Sequence, residues 1–412
     1  MSLQFIIGSS GIGKTHYACE QIIRESMENP QHLYYIIVPE QFTMQTQKNV
    51  VEMHPGKGIL NIDVLSFQRL AYRIFEETGG AREVLLDDTG KSMVLQKLVQ
   101  QHRKNLPYLG SQMNKPGYLD EVKSLISEFM QYDIREEELQ DMLGKTGEDS
   151  LLHMKMQDVG VLYQAFLQYL EGHYMTGEGV MDALKKAIPF SDKMKKSVLL
   201  LDGFTGFTPV QMNVIRELLN VCDKVLVTVT MDAGENPLQM GKPHQLFYMS
   251  RKMIHTLSGL TSNLDDPILL KDERKGRFGN STSLDFLEKH LFRYRRSAYE
   301  KKQEEICIFA AESPVKELEE TARRIRRLVR EKNLKYGEIA VITGNLEAYK
   351  SIASQVFEES RIPYFLDEKH TILMNPFIEY IRAALEMVTK GFSYESVFRY
   401  LRCDMSGLAR NQ

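Results

Sequence analysis

The segment Gly8-Ser9-Ser10-Gly11-Ile12-Gly13-Lys14-Thr15 has the spacing of a phosphate-binding loop: Gly, four residues, Gly, Lys, then Ser or Thr. Its neighbours fit. Leu3-Gln4-Phe5-Ile6-Ile7 is a short apolar run that predicts a buried strand, and His16-Tyr17-Ala18-Cys19-Glu20-Gln21-Ile22-Ile23 predicts a helix beginning at Thr15. Glycines let the backbone turn tightly and aim successive N–H groups at phosphate oxygens, and the helix N-terminus adds partial positive charge at the same point. Gly8, Ser9, Ser10, Gly11, Ile12 and Gly13 are the expected cradle. Lys14 is placed to reach the outer phosphates and Thr15 to set its hydroxyl on Mg²⁺, so the expected ligand is ATP with Mg²⁺. A Gly-rich strand-to-helix turn with an exposed lysine shares the spacing; the strand before and the helix after favour the phosphate loop.

Moving outward, Leu33-Tyr34-Tyr35-Ile36-Ile37-Val38 predicts a second buried strand ending in Pro39-Glu40-Gln41-Phe42-Thr43. Ile62-Asp63-Val64-Leu65 predicts a third, leading into Ser66-Phe67-Gln68-Arg69-Leu70. Strands alternating with helices imply a parallel sheet whose working edge is the strand C-terminal end. From about Asp87 to Phe190 strand signals vanish and helical periodicity takes over, as in Met93 to Val99, Tyr118 to Ile126 and Leu162 to Leu170. Strands resume at Ser197 to Leu201 and Lys224 to Thr230, followed by a polar, irregular stretch to about Lys302. The strand Ile306 to Ala310, a helix from Val315 to about Lys332 and the strand Ile339 to Thr343 predict a second strand–helix–strand unit.

The expected fold is therefore α/β: a P-loop NTPase (RecA-like) parallel-sheet domain with an all-helical insertion and a second, incomplete RecA-like domain. The expected boundaries are 1–86 and 191–270 for the two parts of the first domain, 87–190 for the insertion, 271–302 for an irregular link and 303–412 for the start of the second domain.

Composition agrees with this class. The chain has 412 residues, 43% hydrophobic and 26% charged, enough for two or three domains with sizeable cores. No apolar run approaches the roughly 18 residues of a membrane span. The first strand begins at the N-terminus, which predicts no signal peptide. The 4 cysteines, Cys19, Cys222, Cys307 and Cys403, have no paired spacing, so they read as buried or incidental thiols in a reducing cytoplasm rather than a disulfide or metal framework. A net charge of −3 means that a nucleic-acid surface would be a local groove.

A phosphate loop needs a carboxylate on a neighbouring strand to hold Mg²⁺ through water. Asp202 follows the apolar run Val198-Leu199-Leu200-Leu201 and is the expected partner, although an Asp opening a turn with Gly203 has the same appearance. A hydrolysing motor usually follows this Asp with a Glu that orients the attacking water. Here the next residue is Gly203, which has no side chain for the task.

Asp202-Gly203-Phe204-Thr205-Gly206-Phe207-Thr208-Pro209-Val210-Gln211 resembles a degraded form of the UvrD-type superfamily I helicase segment Asp-Glu-Phe-Gln-Asp-Thr-x-Pro-x-Gln. Ser66 to Leu70 resembles that family's single-strand DNA contact motif. Ala311 to Ile325 and Tyr336 to Ile342, followed by Arg361 to Tyr364, resemble the entry to its second motor domain. More narrowly, the phosphate loop near the N-terminus, Val38-Pro39-Glu40-Gln41, Val64-Leu65-Ser66-Phe67, Asp202-Gly203-Phe204 and Pro363-Tyr364-Phe365 together resemble the N-terminal part of the AddB family of bacterial ATP-dependent helicase/deoxyribonucleases.

The resemblance implies a heterodimer with an AddA-like helicase–nuclease subunit, acting on double-strand DNA ends in the cytoplasm and scanning the emerging single strand for a regulatory (Chi) sequence. It also places the nuclease and its iron–sulfur cysteines in a C-terminal region beyond this sequence. The departures from an active motor matter as much. No adenine-recognition Gln precedes the loop. Met231-Asp232-Ala233 stands where Gly-Asp and a phosphate-sensing Gln are expected, and Gly344-Asn345 where an Arg is expected on the γ-phosphate. No residue is assigned a catalytic role, and the expectation is ATP–Mg²⁺ binding with slow or absent hydrolysis.

Single-strand contacts in such domains use hydroxyls, basic groups and stacking aromatics. The candidates are Phe42, Thr43, Ser66, Phe67 and Arg69, with core packing an equal reading for Phe67 and a local ion pair open for Arg69. Arg323, Arg324, Arg326, Arg327 and Arg330 read first as a solvated helix face paired with Glu317, Glu319, Glu320 and Glu331. Phe292-Arg293-Tyr294-Arg295-Arg296 is a candidate strand- or partner-binding surface. The 10 histidines show no metal-ligand spacing. The rival readings are a competent stand-alone superfamily I helicase or ATPase, with Glu40 or another nearby carboxylate as base, and a P-loop kinase.

Overall fold

Strand β1 (Ser2–Gly8) buries Leu3, Phe5 and Ile7 on one face and Ile6 on the other, the pattern of a strand covered on both sides. The computed structural model describes every residue except 1, 81–82, 113–116, 148–149, 233, 272–276, 294–296, 368–371, 373, 404 and 406–412. It divides into two units, Met1–Ile306 and Cys307–Gln412.

In the first unit β1 leads into α1 (Lys14–Glu28), β2 (Leu33–Ile37), α2 (Thr43–Met53), β3 (Ile62–Leu65) and α3 (Phe67–Thr78). After β4 (Val84–Leu86) come α4 (Asp88–His102), α5 (Leu109–Gln112), α6 (Tyr118–Gln131), α7 (Glu136–Gly144) and α8 (Leu151–Leu170). Then follow β5 (Tyr174–Thr176), α9 (Gly179–Ala187), β6 (Ser197–Leu201), α10 (Pro209–Val221), β7 (Lys224–Thr230), α11 (Tyr248–Ser258), β8 (Ile268–Leu269) and α12 (Thr282–His290).

Six strands form one sheet in the order β3-β2-β6-β7-β1-β8, every pair parallel. The expected mixed α/β architecture with a parallel sheet is present. Apolar alternation assigns the two faces: Val225, Val227 and Val229 of β7 join the core beneath α3, α9, α10 and α11, while Leu226 joins Ala18, Cys19 and Ile22 of α1. Asp202 and the phosphate loop thus meet at the strand C-terminal ends.

Helices α4 to α8 bury a core of their own, including Leu95, Leu98, Ile126, Phe129, Leu162 and Phe166. The short parallel pair β4–β5 brackets them; three-residue strands carry too little pattern to be read from sequence. The stretch expected to be irregular up to Lys302 contains α11, β8 and α12.

The second unit contains α13 (Pro314–Lys332), α14 (Leu346–Glu359), α15 (Pro376–Thr389) and α16 (Tyr394–Arg402). Leu318, Ala322 and Ile325 of α13 pack with Ala353, Val356 and Phe357 of α14. The strands expected at Ile306–Ala310 and Ile339–Thr343 are a correction: among the described residues neither segment forms a ladder. A β-branched run becomes a strand only when a neighbour satisfies its backbone N–H and C=O groups, and here Ile308 and Ile342 are exposed.

Candidate phosphate-binding site

The loop between β1 and α1 turns through two glycines with left-handed backbone, Gly11 at φ +76° and Gly13 at φ +98°, a conformation that side-chain-bearing residues rarely adopt. Gly8 is constrained by space instead, since a Cβ there would stand 2.7 Å from the Ile12 side chain. Gly8 C=O accepts from Met231 N–H at 3.0 Å and Gly11 C=O from Arg277 N–H at 2.8 Å. Lys14 Nζ donates to Ser9 C=O at 2.8 Å. Burial pushes the Lys14 ammonium below its ordinary pKa, against the opposing pull of the Asp202 and Glu288 carboxylates.

Asp202, just past β6, is buried. Its carboxylate oxygens both lie 3.0 Å from Thr15 Oγ1. Thr228 Oγ1 on β7 donates to Asp202 Oδ1 at 2.6 Å and faces Gly203 N–H at 3.4 Å. Thr228 is a site residue that the sequence reading missed; a hydroxyl inside Val225-Leu226-Val227-Thr228-Val229 was the available signal. Gly203 sits at φ +78° with nothing closer than Pro39 Cδ at 3.7 Å from an added Cβ. Backbone geometry, rather than crowding, disfavours a Glu there.

Gly11, Gly13, Lys14, Thr15, Asp202 and Gly203 border a cavity of about 740 Å³ that also takes in Phe42, Thr46 and Asn49. The loop N–H groups and Lys14 suit an anion, and Thr15 with Asp202 suits a hard cation held partly by water. Among the described residues no group of three or more His, Cys, Asp or Glu is placed to hold a metal unaided, so a cation here would complete its shell with water and oxygens of the bound anion. Cys19, buried behind the loop, is pushed up to about 12 by burial and the nearby Asp202, which makes it an inert thiol.

The structure separates the strand-binding candidates. Phe42 is 47% exposed. Thr43 is 2% exposed and donates to Glu40 C=O at 3.0 Å. Ser66 is buried and caps α3 by accepting from Arg69 N–H at 3.4 Å. Phe67 is 5% exposed, its ring 5.6 Å from that of Phe204 and 6.3 Å from that of Phe207, an arrangement that fits the core-packing reading of this residue. Arg69 Nε lies 3.3 Å from a Glu40 carboxylate oxygen.

In the second unit Arg323 and Arg324 pair with Glu320 at 3.3 and 3.0 Å, while Glu319 pairs with Lys316 and Glu317 accepts from Tyr349. Asn345 caps α14. Arg293 pairs with Asp232 at 2.9 Å and Phe292 is exposed; Tyr294, Arg295 and Arg296 lie outside the described residues. No helix among the described residues is long and apolar enough to cross a membrane.

Known proteins resemble this chain along its length. The family profile described as "ADDB, N-terminal" matches residues 5–288. A curated protein of Lachnoclostridium phytofermentans, named as the B subunit of an ATP-dependent helicase/deoxyribonuclease, is 42% identical over 100% of this chain and 36% of its own length. Proteins of the same name from Clostridium novyi and Alkaliphilus metalliredigens are 32% and 31% identical over the same shares. The chain thus spans about 36% of the length of these relatives. A profile match across residues 5–288, on a chain that carries the phosphate loop and Asp202 within that span, means that the protein belongs to the AddB N-terminal family.

Proposed function

We propose that this chain holds ATP–Mg²⁺ on its phosphate loop, in a RecA-like domain, and hydrolyses it slowly or not at all. Thr15 and Asp202 would hold the cation, and the loop N–H groups with Lys14 the phosphates. The observation that carries this reading is the convergence of Thr15 Oγ1 and the Asp202 carboxylate at 3.0 Å. Three features support weak hydrolysis. Gly203 leaves no water-orienting side chain beside Asp202. Ala233 stands where a motor has its phosphate-sensing Gln and carries no amide to do that work. Asn345, where a motor places an Arg, caps a helix.

In the full-length protein this region would serve a cytoplasmic helicase–exonuclease that resects double-strand DNA ends for recombinational repair. An AddA-like partner would supply the motor, and this chain would guide the emerging single strand and scan it for Chi. Phe42 and Arg69 stand at the sheet edge where such a strand would pass. Any iron–sulfur cluster would be held outside this chain. The rival in which Glu40 acts as general base is weakened by its ion pair with Arg69.

Steady-state ATP turnover with single-stranded DNA tests the proposal. Binding with well under about 1 turnover per second supports it; tens per second, an ordinary enzyme rate, would overturn it.

A further inference from the structure

The cavity at the phosphate loop has one wall that the nucleotide reading does not use. Besides the loop, Asp202 and α2, it is lined by Arg277, which lies between β8 and α12. Backbone contacts bring this point of the chain to the loop. β8 runs parallel to β1, with Ile268 opposite Ile6 and Leu269 opposite Ile7, and Leu270 N–H donates to Ile7 C=O at 2.8 Å. Arg277 N–H then donates to Gly11 C=O at 2.8 Å, and a Cβ added to Gly11 would stand 3.1 Å from Arg277 Cβ. Arg277 is thus held beside the cradle by its main chain, which leaves the guanidinium uncommitted. The residue is exposed, and among the described residues its side chain has no hydrogen-bond or ion-pair partner. Other arginines of this unit are spent on carboxylates: Arg251 on Glu235, Arg293 on Asp232 and Arg69 on Glu40. The carboxylates that line the cavity are engaged elsewhere. Asp202 accepts from Thr15 and Thr228, and Glu52 lies 3.8 Å from Lys48.

We propose that Arg277 is a second cationic arm of the nucleotide site, contacting the phosphate chain alongside Lys14. This rests on the reading of the loop as a nucleotide site and adds a binding residue to it from outside the loop sequence. The physical basis is the match between a guanidinium fork and phosphate oxygens, offered at the wall of a cavity whose loop N–H groups already suit an anion. A bound phosphate chain would then bridge the loop and the segment leading into α12.

The test is equilibrium binding of fluorescent N-methylanthraniloyl ATP and ADP, with Mg²⁺, to the full-length protein over a range of KCl concentrations. Arg277→Ala keeps both the N–H that donates to Gly11 and the Cβ beside it, so the loop stays fastened and only the guanidinium is lost. The proposal expects this variant to bind the ATP derivative about tenfold more weakly than wild type, the size of one charge-assisted contact, and Arg277→Lys to recover part of the loss. The gap between wild type and Arg277→Ala should narrow as KCl rises and be smaller for the ADP derivative, which brings less charge. Wild-type affinity in Arg277→Ala, or a loss that ignores both salt and the number of phosphates, with Lys14→Ala still abolishing binding, overturns the Arg277 inference alone. If Lys14→Ala binds as wild type does, the nucleotide reading itself fails.

Discussion

Thr15 Oγ1 lies 3.0 Å from both carboxylate oxygens of Asp202, two residues 187 positions apart in the chain. The contact forms because β1 and β6 end at the same edge of the sheet, with β7 between them. If both groups serve one cation, their losses should not add. Thr15→Ala and Asp202→Asn are each expected to weaken Mg²⁺-dependent ATP binding about tenfold, and the double variant little further, with Mg²⁺-free binding nearly unchanged. Calorimetric titration with and without Mg²⁺ checks this; additive losses that persist without Mg²⁺ would point to separate roles.

Phe67 and Phe42 should part company on substitution. Phe67 is buried against Phe204 and Phe207, so Phe67→Ala is expected to cost about 3–4 kcal/mol of stability. Phe42 is exposed; Phe42→Ala should shift stability by less than about 0.5 kcal/mol while weakening single-strand binding by about 1–3 kcal/mol. Urea denaturation and fluorescence anisotropy with an oligonucleotide separate the two. A strand affinity indifferent to Phe42 removes it from the proposed contact surface.

Lys91 Nζ meets both Glu178 carboxylate oxygens at 2.9 Å and Ser127 Oγ at 3.2 Å. Burial pushes the Glu178 carboxyl up, but the hydrogen bond and charge of Lys91, with backbone and Thr176 hydrogen bonds, outweigh it and hold the group below the usual carboxylate range. A depressed carboxyl contributes stability above its unfolded pKa and loses it as pH falls through the folded value. Glu178→Gln, which leaves the buried Lys91 ammonium with the exposed Asp88 carboxylate at 3.6 Å as its charge partner, is expected to cost about 2 kcal/mol at neutral pH, and its deficit should shrink below about pH 4. Unfolding midpoints across pH check this; a deficit that ignores pH would mean the ion pair does not carry it.

Gly203 adopts φ +78°. Gly203→Ala is expected to cost about 1–2 kcal/mol, and Gly203→Glu should cost as much without producing a fast ATPase. Thermal unfolding and turnover measured on the same preparations test both parts; rapid hydrolysis by Gly203→Glu would show that only the side chain was missing.

The sheet was legible because its strands are continuous apolar runs, Leu199-Leu200-Leu201 and Val225-Leu226-Val227 among them, and because Gly8 to Thr15 has a spacing with one strong structural context. Asp202 followed from its place at the end of such a run. Thr228 and Arg277 were not legible, since Thr228 reaches Asp202 through sheet order, Arg277 reaches Gly11 through the placement of the turn before α12, and neither carries a local pattern. Phe67 was ambiguous for a physical reason: an aromatic at the start of a helix after a strand end can face the groove or the core, and only the positions of Phe204 and Phe207 decide. The runs at Ile306–Ala310 and Ile339–Thr343 misled because β-propensity describes a side chain suited to a sheet and cannot supply the pairing strand.

The most direct test of a site that grips a triphosphate without splitting it is to recover the nucleotide. Full-length protein is mixed with stoichiometric γ-labelled ATP, Mg²⁺ and single-stranded DNA, passed rapidly through a desalting column, and the retained nucleotide is identified. Intact ATP retained by wild type and lost from Lys14→Ala is the expected result. Label released as free phosphate within seconds in a Lys14-dependent way, or no nucleotide retained at all, would contradict it.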